Sequence, residues 1–141
     1  MKNITKEVLI DFIQNNEIEL SSTHAKLCLP IIKRIFKKMS SGIKFSGIRV
    51  ENNLICDGHH RYLASILANF PLEKIPGKLS SASMQVKWES IVFDDEDWDT
   101  KAKIDMLNQY LKLKNAATPA FIHLSYDSFV GSSIVITKLV E

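Results

Sequence analysis

The sequence predicts an α+β domain, and three stretches carry that expectation. Strand-type residues Ile48, Val50, Leu54 and Ile55 lead through Asp57-Gly58-His59-His60-Arg61-Tyr62 into Tyr62, Leu63, Ile66 and Leu67 at helical spacing. Ahead of them, Ile31, Ile32, Ile35, Phe36 and Met39 recur at intervals of three and four. Behind them, a strand candidate at 86–93 precedes the stripe Ile104, Leu107, Tyr110 and Leu111. Short strands interleaved with helices suit a small mixed sheet flanked by helices. The 141 residues, 45% hydrophobic and 24% charged, suffice for one domain with a hydrophobic core and exclude wholesale disorder.

The elements follow in chain order. Thr5 can cap a first helix, with Ile4 and Leu9 at the two positions of a hydrophobic staple and Val8, Leu9, Phe12 and Ile13 as its apolar stripe. Asn15 and Asn16 end it, and Ile18-Glu19-Leu20 is a short strand candidate before the turn residues Ser21 and Ser22. Residues 26–39 read as helical around Pro30. A mid-helix proline costs about 3 kcal/mol, so Pro30 is expected in the first turn. Ser40-Ser41-Gly42 stops this helix. Extended runs at 45–50 and 54–56 flank Glu51-Asn52-Asn53, which suits a hairpin turn because asparagine tolerates positive φ. The helix after the motif runs to about Asn69, with Pro71 beyond it. Residues 76–83, with Gly77 and several serines, read as a loop and a candidate flap. Asp97 or Asp99 is expected to cap the next helix, with the acidic run at the positive end of its dipole. Residues 115–119 read as a linker, and 121–124 and 134–139 as two final strands.

Charge and cysteine content narrow the function classes. A net charge of +2 is too small to argue for nucleic acid by itself. Lys33, Arg34, Lys37 and Lys38 share one helix face, which is either a solvated surface or a weak track for a nucleic-acid backbone without interleaved aromatic residues. Asp94, Asp95, Glu96, Asp97 and Asp99 form an opposing acidic run. Cys28 and Cys56 lie in apolar contexts and read as buried thiols rather than a disulfide. The N-terminus lacks the apolar core of a signal peptide, and no run is long enough to span a bilayer, so a cytoplasmic protein without a membrane partner is expected. Trp88 and Trp98 read as core or staple residues rather than base-stacking platforms. His24 and His123 are isolated and receive no chemistry.

The chemistry concentrates at the strand-to-helix turn. The first amides of a helix lack intrahelical acceptors and point at whatever lies ahead, which favours anions. Gly58 lets the backbone approach a ligand closely, and the Arg61 guanidinium is a rigid fork suited to phosphate, or else an ion-pair partner that fixes the turn. His59 and His60 project about 100° apart on a helix, so one faces the ligand. His60 can donate a hydrogen bond or act as a general acid, or simply pack; His59 lines the pocket or faces solvent. Asp57 can cap the helix, activate a nucleophile or hold a metal, capping being the commonest use of an aspartate there. Asp57, His59 and His60 match no strong zinc spacing, so a protein-built metal site is not expected. The catalytic candidates are therefore Asp57 and His60, and the phosphate-binding candidates Gly58, His59, His60 and Arg61.

The motif Asp57-Gly58-His59-His60-Arg61, with Ile55-Cys56 before it and Tyr62-Leu63-Ala64 after it, resembles the Gly-x-x-Arg turn of the ParB/sulfiredoxin superfamily. The resemblance covers roughly residues 17–115 and leaves 116–141 as an extension of a single 141-residue domain. It implies a ParB/sulfiredoxin-like fold and a nucleotide or phosphate site at the turn. A nucleoside triphosphate with Mg2+ is the cofactor or substrate it suggests, and phosphoryl transfer or phosphodiester cleavage, as in ParB-like nucleases, the reaction. It favours His60, directly before the arginine, as a phosphate contact. His59 stands where sulfiredoxins carry their catalytic cysteine, so sulfiredoxin chemistry is not expected. The chain leaves no room after the match for a helix-turn-helix and a dimerisation segment, so DNA partition is not expected either. The serine kinases of the superfamily need an acidic base ahead of the motif, where Glu17 and Glu19 lie without a firm alignment. Two other classes remain open: a nucleic-acid-binding or nuclease-like module, and a non-catalytic interaction protein of immunity type.

Overall fold

The structure, a computed structural model, describes residues 3–116. The expected strands at 121–124 and 134–139, and His123, lie outside the described residues. The described part is a small mixed α/β domain with four helices and two small sheets.

Helix α1 spans Lys6–Asn15. The Thr5 hydroxyl accepts the Val8 amide at 3.2 Å, and the staple residues Ile4 and Leu9 are both buried. Losing that cap through Thr5→Ala is expected to cost about 1 kcal/mol in urea denaturation. Residues 18–20 do not form the expected strand. The chain passes instead through single bridges, Ser21 to Leu54 and Ser22 to Val86. Leu20 is held by side chains, its amide donating to Tyr62 Oη at 3.1 Å and its carbonyl accepting Trp88 Nε1 at 2.8 Å.

Residues 26–39 are not one helix. Strand β1 (Lys26–Cys28) leads directly into α2 (Leu29–Ser40), and Pro30 stands in the first turn of α2 as its fixed φ requires. Cys28 is the N-cap of α2 and is extended (φ −101°, ψ 115°), the backbone that a cap residue adopts. Ile31, Ile32, Ile35, Phe36 and Met39 bury the inner face of α2.

Strands β2 (Ile48–Glu51) and β3 (Leu54–Asp57) form the expected hairpin. Asn52 and Asn53 turn it at φ 51° and 63°, the paired left-handed conformation that two-residue hairpin loops need. The register shifts between Arg49 and Val50, so Arg49 faces Asp57 while Val50 faces Ile55. Cys56 is the extra residue, a bulge that re-aims the end of β3. Helix α3 (His59–Ala68) follows and ends on Asn69 in the left-handed conformation. Strand β4 (Lys74–Pro76) returns parallel to β2, which gives a three-stranded sheet in the order β3-β2-β4. Gly47 makes the approach possible. A Cβ there would lie 2.5 Å from the Glu73 carbonyl oxygen that accepts the Ile48 amide.

The expected strand at 86–93 is broken. Trp88–Ser90 form a 3-10 turn, and only β5 (Val92–Asp94) is extended, pairing in parallel with β1. The reason is the Trp88 indole, which turns inward to reach the Leu20 carbonyl. Helix α4 (Lys101–Ala116) is capped by Thr100, whose hydroxyl accepts the Lys103 amide, and not by Asp97 or Asp99. It buries Leu107, Tyr110 and Leu111, and it runs on through Asn115 and Ala116, where a linker is expected from sequence. The Asn115 side chain ties this end of the helix to the Lys44 backbone.

Candidate functional site

The turn after β3 is built around Gly58. Its φ of 103° is open to glycine and strained for other residues. A Cβ there would also lie 2.6 Å from Ile48 Cγ2 and 2.9 Å from Arg61 Nη2. Gly58 is the N-cap of α3, and no side chain caps that end. Asp57 therefore does not perform the capping role expected of it. Its carboxylate is half-buried, without a hydrogen bond or ion pair among the described residues. The first helical bond runs from the Tyr62 amide to the Gly58 carbonyl. The amides of His59 and His60 find no protein acceptor among the described residues.

Both motif histidines are held by backbone donors. Thr23 N–H donates to His59 Nε2 at 3.0 Å, and Cys28 N–H donates to His60 Nε2 at 2.9 Å. An amide has only a proton to offer, so each Nε2 presents its lone pair and each neutral ring carries its hydrogen on Nδ1. His59 is buried, and its Nδ1 has no partner among the described residues. Its ring stacks on His24 at 3.9 Å between centroids and 11° between planes. Burial, then the neighbouring His24 and His60, pushes the His59 pKa down to about 3. Burial, then His24 and the Arg61 and Arg34 charges, pushes His60 down to about 4. His24 is lowered by burial, against the pull of the Asp57 charge. At neutral pH the cluster is thus a set of uncharged rings, with the Nε2 of each motif histidine taken by a backbone amide.

Arg61 is turned inward. It has no exposed surface, lies beside Gly58, and donates from Nη2 to the Gly47 carbonyl at 2.8 Å. It locks the turn to the chain leading into β2. Lys114 of α4 reaches the adjacent Ser46, and burial, then the Arg61 charge, lowers its pKa to about 8. The structure therefore gathers Asp57, Gly58, His59 and His60 around one helix end, with Arg61 behind them.

The acidic run lies across the same region as a strap. Asp94 sits 3.5 Å from Lys26 and Asp95 2.8 Å from Lys6. Asp97 and Asp99 share Arg34, and Lys103 approaches Asp99 at 3.6 Å. Trp98 projects from this strap, its Nε1 donating to Asp94 Oδ2 at 2.9 Å and its ring standing at 89° to His60, 5.5 Å between centroids. The Cys28 thiol, buried and raised in pKa by that burial, donates to the Glu96 carbonyl. These pairs explain why the run does not cap α4: its carboxylates are used against α1, β1 and α2.

The basic stripe of α2 is divided. Lys33 and Lys37 are exposed, Arg34 is committed to Asp97 and Asp99, and Lys38 is half-buried with its pKa lowered by that burial. Among the described residues no group of three or more His, Cys, Asp or Glu is placed to hold a metal ion, and no helix is long and apolar enough to cross a membrane.

Three participants escape local sequence reading: Thr23, His24 and Trp98. Each reaches the motif from 35 to 38 residues away. A lone histidine and a tryptophan in an acidic run carry no periodic signal of such contacts. Scans against protein-family models, curated proteins and solved structures returned no match.

Proposed function

We propose that the chain is a ParB/sulfiredoxin-like domain that binds a nucleotide or another phosphorylated ligand at the Asp57–Arg61 turn. One observation carries this reading: among the described residues the amides of His59 and His60 stand without protein acceptors at an uncapped helix end, beside a buried imidazole whose Nδ1–H is also unpartnered there. A buried donor left unmade costs about 1–3 kcal/mol, so a protein that keeps one beside two bare amides is built to meet an acceptor-rich group. Phosphate oxygens are such acceptors, and the helix dipole favours their charge. The left-handed Gly58 brings the backbone to the ligand without a side chain in the way.

The roles divide accordingly. Gly58, His59 and His60 would hold phosphate oxygens by neutral donors and backbone amides. Arg61 would act from behind as a fixed positive charge and as the brace of the turn, rather than as a fork on the ligand. His60 is a donor and not a general acid at neutral pH, because its ring is uncharged and its Nε2 is occupied by Cys28. Asp57 is the group left to accept a proton in phosphoryl transfer or phosphodiester cleavage, or to hold Mg2+ that arrives with a nucleoside triphosphate. The ion, when bound, neutralises phosphate charge.

The test is binding of inorganic triphosphate, ATP and CTP to the full chain. At a hundredfold excess over the dissociation constant, the expected stabilisation is about 2.7 kcal/mol, read as a rise of several degrees in Tm. In 15N-edited spectra the largest amide shifts are expected at His59 and His60. Stabilisation without perturbation there would place the ligand elsewhere, and no stabilisation by any of the three would remove the reading.

A further inference from the structure

We propose that Trp98 is the shelf on which the base of a nucleotide stacks, which makes the ligand of the turn a nucleotide rather than a free phosphate or a phosphosugar. This rests on the phosphate reading of the Asp57–Arg61 turn and adds a specificity-determining residue to it.

Three observations converge on Trp98. First, its ring is left out of the core: 44% of the residue is exposed, whereas Trp88 is 7% exposed. Second, it is held in place despite that exposure. Its Nε1 is fixed to Asp94, and the strap on either side is pinned by Lys26, Lys6 and Arg34. An aromatic ring held at one orientation by its polar edge loses little entropy when a second ring stacks on it. Third, its neighbour is His60, the motif residue in the first turn of α3 whose amide has no acceptor among the described residues. The acidic residues around it do not oppose a nucleotide as a bare negative patch would. Asp94, Asp95, Asp97 and Asp99 each have a cation within 4 Å. A planar base is the chemistry that uses an indole face beside a phosphate cradle, and base–aromatic stacking is tolerant of which base it is.

The experiment compares inorganic triphosphate with ATP and CTP on the full chain carrying Trp98, Trp98→Ala or Trp98→Phe. Trp98→Ala is expected to weaken ATP and CTP binding about tenfold or more while leaving triphosphate within twofold, and Trp98→Phe to recover most of the loss. The chain has two tryptophans. With Trp88 buried, nucleotide and not triphosphate is expected to quench the emission of the exposed indole. That readout needs no variant and so stands if Trp98→Ala fails to fold. Equal weakening of triphosphate and nucleotide, no weakening of either, or no quenching at saturating nucleotide overturns the role of Trp98 while leaving the phosphate site intact. Failure of triphosphate, ATP and CTP alike to bind the unaltered chain overturns the phosphate reading, and this inference with it.

Discussion

Arg61→Ala is expected to destabilise the domain by about 3–5 kcal/mol, a large share of the 5–15 kcal/mol typical of a folded domain. The reason lies in what the guanidinium touches. It is wholly buried, donates to the Gly47 carbonyl, and fills the space beside Gly58, so truncation opens a cavity and strands a backbone acceptor at once. The damage would spread along the chain. Gly47 feeds β2, β2 carries both β3 and β4, and β3 delivers Asp57 to the site. Arg61→Met keeps most of the volume and is expected to lose less, about 1–3 kcal/mol for the unmet carbonyl. Urea denaturation at pH 7 distinguishes the two, and a loss under 1 kcal/mol for Arg61→Ala would mean the guanidinium does not brace the turn. The consequence for function is direct. Loss of ligand binding in Arg61→Ala reports on folding before it reports on phosphate recognition, so the folded Arg61→Met variant is the one that isolates the charge.

The parts of the fold that sequence reading placed correctly are those in which one residue dictates its own backbone. Pro30 opens α2, Asn52 and Asn53 turn the hairpin, Thr5 caps α1, and α3 starts at His59 directly after Gly58. The α+β class followed from these local signals. What was not legible depends on partners far along the chain. Lys26 to Cys28 looks helical in isolation and becomes a strand because β5 lies beside it. Residues 86–93 look like one strand and are broken because Trp88 reaches Leu20. Asp97 and Asp99 look like helix caps and are taken by Arg34, more than sixty residues earlier. The candidate site divides in the same way. The motif itself was visible, but the direction of Arg61, the Thr23 and Cys28 amides that set the histidine tautomers, and the exposure of Trp98 are tertiary facts. A fork of donors reads the same in sequence whether it faces a ligand or a carbonyl.

Acidification is expected to unfold this domain well above the range in which carboxylates titrate. His59 and His60 have folded pKa values near 3 and 4, against about 6.5 in an unfolded chain. The unfolded chain therefore takes up two protons near pH 6.5 that the folded chain refuses, and each proton favours unfolding. Their full contribution is present above pH 6.5 and is lost as pH falls toward 4, at about 1.4 kcal/mol per pH unit for each ring. Two rings give roughly 2–3 kcal/mol per unit near pH 5. The local chemistry agrees with this direction. A proton on either Nε2 would point at the Thr23 or Cys28 amide that now donates to it, so protonation sets donor against donor and pries β1 from α3. The Asp94 and Asp97 carboxylates, lowered chiefly by hydrogen bonds from Trp98 and Arg34 respectively, also lose stability in acid, but only below about pH 4. The two windows separate in denaturation series run from about pH 7.5 to about pH 2. Glutamine places an amide oxygen near the Nε2 position without titrating there, so His59→Gln combined with His60→Gln is expected to retain the amide bonds and flatten the profile between pH 6.5 and 4.5. An unchanged slope in that double variant would assign the protons to other groups and remove the uncharged-donor account of the motif.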